Sequence, residues 1–296
     1  MRFATFSHTA DGEPRLGVLV GDDAVLDLRL AVPDVPGDLR AYIAAGPELH
    51  ARVQSIVYSG TPRADHVVPL SAVVLHAPLR PGKIVGVGLN YAEHVEESSR
   101  TLDTDARRPD RPVLFSKPAT AVIGPDQPIE HNARMTAQLD WECELGVVIG
   151  ETARSVPGAR AFDHVFGYTV VNDISARDQR RSGQWFFSKG QDTYAPLGPI
   201  VVTADEIPDP HALGMELTVN GERRQKGTSA QMIFRIPELI EEITSGVTLE
   251  PGDVIATGSP QGVGAAMDPP TFLVPGDLVA ATIEGIGTLS NPVKAV

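Results

Sequence analysis

The chain has 296 residues, 42% hydrophobic and 21% charged, which is the profile of a globular protein with a sizeable core and excludes wholesale disorder. Its 25 Lys plus Arg against 38 Asp plus Glu give a formal net charge of −13, which argues against nucleic-acid binding, where cationic side chains must neutralise phosphates. No apolar run approaches the roughly 18 residues of a membrane span, no signal-peptide core follows Met1, and a single cysteine, Cys143, leaves no intramolecular disulfide. A cytoplasmic protein is expected. Its 28 glycines and 25 prolines point to many turns and short strands.

In chain order, residues 1–75 read as a small N-terminal α+β unit. Arg2–Ser7 and Arg15–Val20 are strand-like and joined by a turn around Asp11-Gly12, and Gly21-Asp22-Asp23 turns into a third strand, Ala24–Asp27. Glu48–Tyr58, with Val53, Ile56 and Val57 at helical spacing, suits an amphipathic helix. No catalytic residue types gather here, so a structural role is expected. Residues 76–296 read as a larger unit of short β-branched runs: Ile84–Val87, Leu145–Ile149, Val165–Asn172, Ile200–Thr203 and Glu216–Asn220. A helix starts at Pro237, buries Leu239, Ile240 and Ile243, and stops near Ser245-Gly246. Pro251-Gly252 and Pro275-Gly276 each suit the centre of a type II turn leading into a strand. Ser98–Pro112, rich in Arg and Asp, suits a mobile loop. The fold class is α+β, predominantly β.

Several familiar signatures fail. Gly86-Val87-Gly88 follows a strand, but Tyr91 stands where a dinucleotide fingerprint needs its third glycine. Gly258–Gly264 lacks the Lys-Ser/Thr ending of a phosphate-binding loop, and no Gly-x-Ser-x-Gly elbow occurs. Cys143 has apolar neighbours and no adjacent cation, which suits a packing thiol.

The carboxylates are more informative. On a strand, Glu142 and Glu144 share one face. In isolation such a pair is ordinarily a solvated strand end, but two like charges at the mouth of an apolar strand also suit a hard divalent cation. Val165–Asn172 ends in Asp173, a third ligand if the two strands are neighbours, and Arg177 and Lys189 are then placed to hold an anionic substrate. If Asn90–Glu97 is helical, His94 and Glu97 share a face and form a base with its orienting carboxylate; alone, the segment reads as an exposed helix with an incidental histidine. A glycosidase pair is set aside, since Glu142 and Glu144 would share one face and leave Asp173 unexplained.

Eight phrases occur in an order that resembles the fumarylacetoacetate hydrolase superfamily: Val87–His94, Phe115-Ser116-Lys117-Pro118, Trp141–Gly150, Asn172–Asp178, Lys189–Thr193, Val219–Glu222, Met232-Ile233-Phe234 and Ala256–Gly264. The resemblance implies a mixed β-sandwich roll with a small N-terminal domain, assembled as a homodimer. It implies Mg²⁺, with Mn²⁺ as a substitute and Ca²⁺ as an occupant, held by Glu142, Glu144 and Asp173. His94 and Glu97 match the family's lid pair, Lys189 its active-site lysine, and Arg177, Lys117 and Thr257 positions that line or support the substrate pocket. Two departures bear on the pocket's shape: Ser259 replaces a common threonine, and Trp185-Phe186-Phe187 precedes Lys189.

The family acts on small anionic 2-oxo acids and β-dicarbonyl compounds. The intact His94–Glu97 pair favours hydrolysis of a C–C bond in an acylpyruvate-type substrate through a metal-stabilised enolate. Oxaloacetate decarboxylation, or tautomerisation or isomerisation of a small 2-oxo dicarboxylate, is the alternative on the same site. A catalytically silent dicarboxylate binder is the minor one.

Overall fold

The computed structural model describes residues 1–59, 62–93 and 108–296. The first part of the chain supplies β1 (Arg2–Ser7), β2 (Arg15–Val20), β3 (Ala24–Asp27), α1 (Leu28–Ala31), α2 (Leu39–Ala44), α3 (Pro47–Ser59), β4 (Val67–Pro69) and β5 (Val74–His76). Next come β6 (Ile84–Gly88), β7 (Val113–Lys117), β8 (Val122–Ile123), β9 (Ile129–His131), β10 (Leu139–Asp140), β11 (Cys143–Ile149), β12 (Val165–Asn172), β13 (Ser175–Ala176), α4 (Trp185–Lys189) and β14 (Ala195–Thr203). The last part holds β15 (Gly214–Val219), β16 (Glu222–Thr228), α5 (Ile236–Gly246), β17 (Val254–Ala256), β18 (Leu278–Ile283) and β19 (Gly287–Ala295).

Among the described residues a twelve-stranded mixed sheet runs β4-β3-β2-β1-β14-β12-β11-β17-β6-β7, with β5 added on β1 and β8 on β14. A five-stranded sheet, β16-β15-β18-β19-β9, packs against it, with β15 and β18 meeting β11. The fold is α+β and predominantly β, a sandwich of mixed sheets. Residues 1–75 extend the large sheet, because β1 lies antiparallel to β14 with Phe3 opposite Val201.

Burial explains the sequence texture. Every residue of β11 is buried, and the strand is flanked by β12 and β17; such a strand reads as a continuous apolar run. Leu145 and Val147 join the core shared with the five-stranded sheet, and Val148 joins the core under α2 and α3 with Leu39 and Tyr42. β15 covers only one side of that core, so Met215, Leu217 and Val219 are buried and the residues between them half-buried.

The expected turns form, with Gly252 at φ 80° and Gly276 at φ 100°. In α5, Glu238 accepts from the Arg235 N–H at 2.8 Å, and Leu239, Ile240 and Ile243 are buried. The strand expected over Ile200–Thr203 starts earlier, at Ala195. Gly198-Pro199 reads as a break in sequence, but β12 continues to pair across it with an irregular register. No helix among the described residues is long and apolar enough to cross a membrane.

Candidate active site

The site begins with a strand register. β11 and β12 are antiparallel with Cys143 opposite Asn172, so the residues just before the one and just after the other meet at the same sheet end. The Asp173 N–H donates to the Glu142 carbonyl at 2.8 Å, and the Glu142 N–H to Asn172 Oδ1 at 3.1 Å. Glu142, Glu144 and Asp173, all buried, each bring a carboxylate oxygen into a group lying within 4.8 Å of one another. The three residues expected to act together are therefore adjacent.

Glu144 is held from the other side by the segment after β17. The Gly258 N–H donates to Glu144 Oε2 at 2.9 Å. Gly258 has φ 98°, and a Cβ there would sit 2.8 Å from that of Asn90, so this approach of backbone to carboxylate needs glycine. Asn90 Nδ2 in turn donates to the Thr257 carbonyl at 2.7 Å.

Three cations enclose the carboxylates. Lys189, at the end of α4, donates from Nζ to Glu142, to Asp173 Oδ2 at 2.5 Å and to Ser175 Oγ at 2.8 Å. Arg177 spans Asp140 (Nε to Oδ2, 2.8 Å) and Glu142 (Nη2 to Oε1, 2.9 Å). Lys117, fully buried, donates to Asp173 Oδ1 at 2.5 Å, to the Ile174 carbonyl at 3.2 Å and to the Lys189 carbonyl. Lys117 thus stands behind Asp173, and Thr257 turns its hydroxyl to the Leu145 carbonyl at 2.8 Å; both support the site's wall. His94 and Glu97 lie outside the described residues.

The electrostatics follow from burial in a crowd of charges. Burial pushes the Glu144 carboxyl well above its ordinary range, and the neighbouring Asp173 and Glu142 push it further. Burial lowers the Lys189 ammonium, but Asp173 and Glu142 outweigh that and hold it above the usual lysine value. For Lys117 burial dominates and the net direction is down.

These residues fit a divalent cation. The donors are hard carboxylate oxygens, and an ammonium, Lys189, already bridges two of them. Asp140, Glu142 and Asp173 are ion-paired to Lys117, Lys189 and Arg177, and Glu144 adds a carboxyl, raised by burial and by its acidic neighbours, whose ionised form a divalent cation would favour.

The carboxylates open on a narrow cleft that also meets Phe115, Arg180, Trp185, Ser188 and Ser259. Arg180 lies 4.1 Å over the Trp185 ring, and Trp185 is 5.5 Å from Phe115. Sequence reasoning did not single out Arg180 or Asp140. Asp140 accepts from the N–H groups of Trp141, Gly264 and Ala265 as well as from Arg177; its signal was a charged residue at the head of a buried apolar run. Cys143 is buried in the core and its thiol is pushed up, as a packing residue requires.

The fumarylacetoacetate (FAA) hydrolase C-terminal family profile matches residues 83–294. The chain belongs to the fumarylacetoacetate hydrolase family. As a fumarylacetoacetate hydrolase family enzyme it is 41% identical over 291 residues to oxaloacetate tautomerase YisK of Bacillus subtilis (strain 168), across 94% of this chain and 95% of that protein. It is 37% identical over 298 residues to the mitochondrial oxaloacetate tautomerase fahd2 of Xenopus laevis, across 99% of this chain and 90% of that one. A maleylpyruvate hydrolase from Sphingobium sp. SYK-6, solved in complex with manganese(II) ion and pyruvate, shares the fold at a TM-score of 0.80 and 30% identity, over 100% of this chain and 99% of that one.

Proposed function

We propose that this enzyme interconverts the keto and enol forms of a small 2-oxo dicarboxylate, oxaloacetate in the first instance, with a divalent cation held by Glu142, Glu144 and Asp173. The observation that carries this reading is the convergence of three buried carboxylates and Lys189 at one cleft. The two oxaloacetate tautomerases that match nearly end to end support this reaction over others on the same scaffold. Mg²⁺ or Mn²⁺ there supplies a Lewis acid for the negative charge that develops on a 2-oxo oxygen.

The chain's own residues supply the rest. Lys189, held protonated by its acidic neighbours, gives a proton from Nζ to the enol carbon and recovers one from the enol O–H in ketonisation, and enolisation retraces the same exchange. Arg177, bridging Asp140 and Glu142, fixes the direction of the Glu142 carboxylate. Lys117 occupies one oxygen of Asp173, so that the other, Oδ2, faces Lys189. Phe115 and Trp185 give the cleft an apolar wall that limits water at the enolising carbon.

Hydrolysis of an acylpyruvate is the second reading, favoured by the maleylpyruvate hydrolase likeness. It requires an activated water, the role assigned to His94 with Glu97. A substrate panel with Mg²⁺, with and without EDTA, separates the two. Tautomerisation reads as EDTA-sensitive acceleration of the ultraviolet decay of enol-oxaloacetate, with acetylpyruvate untouched. EDTA-sensitive loss of acetylpyruvate would replace the tautomerase reading with the hydrolase one, and EDTA-resistant activity would remove the metal.

A further inference from the structure

The Gly86-Val87-Gly88 segment of β6, which does not complete a dinucleotide fingerprint, has a different use: it seats two aromatic rings. Alternate residues of a strand share a face, so Gly86 and Gly88 leave two gaps on the same side of β6. Phe115 of β7 pairs with Gly86 and lays its ring over it, so that a Cβ on Gly86 would lie 2.2 Å from that ring. Trp185, at the start of α4, brings the outer edge of its six-membered ring to Gly88, where a Cβ would lie 2.9 Å away. The two rings are neighbours, 5.5 Å between centroids at a tilt of 32°, and the Arg180 guanidinium lies 4.1 Å over the Trp185 ring. Phe115 in turn lies 5.0 Å from Lys189 Nζ.

Both rings line the cleft that holds Glu142, Glu144, Asp173 and Lys189. Strand backbone lies directly behind them, so neither ring can retreat to make room: a close-packed wall yields only through strained side chains or shifted backbone. Their position therefore fixes how bulky a 2-oxo acid can be once its reacting end is taken up beside Lys189. We propose that Trp185, seated on Gly88, is a specificity-determining residue that sets the width of the cleft, so that slender aliphatic 2-oxo acids enter and those carrying a ring on the keto carbon are turned away. The proposal rests on the 2-oxo acid reading of the site but is tested without turnover.

Pyruvate and benzoylformate share the 2-oxo acid end and differ in a methyl against a phenyl group on the keto carbon. Benzoylformate has no hydrogen beside that carbon and cannot enolise. Each is titrated calorimetrically into the Mg²⁺-supplemented wild type, Trp185→Phe and Trp185→Ala. The wild type is expected to bind pyruvate about tenfold or more tighter than benzoylformate, the scale of forcing an extra ring into a packed wall. Trp185→Ala should bind benzoylformate about tenfold tighter than the wild type does, a gain that a merely damaged site does not give, and Trp185→Phe should gain less. A wild type that binds benzoylformate as tightly as pyruvate, or benzoylformate binding improved in neither variant, would overturn the proposal. A wild type that binds neither ligand would bring it down together with the 2-oxo acid reading. If the ligands behave as stated while oxaloacetate is not tautomerised, the reaction assigned above fails and the role of Trp185 stands; if oxaloacetate is tautomerised and benzoylformate binds freely, the reaction stands and the role of Trp185 falls.

Discussion

Two hollows among the described residues have opposite character. The cleft at the end of β11 and β12 is tight, about 30 Å³, and gathers Glu142, Glu144, Asp173, Lys189 and Arg177. The hollow between α2, α3 and the start of β12 is wider, about 390 Å³, and is lined by Tyr42, His50, Phe166 and Asp205. In the wider one the polar groups are spread out: His50 meets the Tyr42 hydroxyl at 3.1 Å, and burial pushes its pKa down against the pull of Asp205. In the narrower one Glu142 and Asp173 each answer to several partners at once. Convergence of charge, not volume, separates a site for chemistry from a fold in the surface.

That contrast is easily put at risk. Glu142→Ala removes a ligand oxygen and the partner of both Lys189 and Arg177, and metal-dependent turnover should fall by at least about 10³-fold in steady-state assays; near-wild-type activity would dissolve the distinction. Lys117→Met removes one of the two ammonium partners of Asp173 and leaves its Oδ1 without that buried bond, an expected cost of about 1–3 kcal/mol in urea unfolding together with weaker metal binding. Mg²⁺ affinity should rise with pH. The raised Glu144 carboxyl keeps its proton at low pH, the cation must displace it, and each unit of pH below that pKa weakens binding by up to about tenfold. Calorimetry in buffers of different ionisation enthalpy would show the released proton, and Glu144→Gln should abolish the release. His50→Ala, in the wider hollow, should cost about 1–2 kcal/mol of stability and leave kcat/KM within about twofold; a large kinetic loss would make that hollow part of the enzyme's working machinery.

Much of this was legible in the chain. The first three strands follow the alternation and turn residues of Arg2–Asp27, and the meeting of Glu142, Glu144 and Asp173 follows from carboxylates flanking two apolar runs. What escaped depends on encounters between distant residues. Nothing near Phe3 specifies Val201 as its strand partner, and nothing near Lys117 specifies its acceptors on Asp173, Ile174 and Lys189. Arg180 and Trp185 come together only when a short loop and α4 stack them, and Thr257 finds the Leu145 carbonyl across more than a hundred residues of chain.

The register of β11 on β12 has a consequence for how the chain reaches its native state. Because side chains alternate across a strand, a slip of one residue would turn Glu142 and Glu144 to the opposite side and part them from Asp173. Such a misaligned sheet could still bury Val147, Val148, Val170 and Val171 and so pass as nearly folded. A cation that binds only the aligned form lowers its free energy by RT ln(1 + [M]/Kd) and leaves the slipped form where it was. A metal held there would serve as a proofreader of strand alignment, and refolding yield with Mg²⁺ supplied or withheld would measure how often that correction is needed.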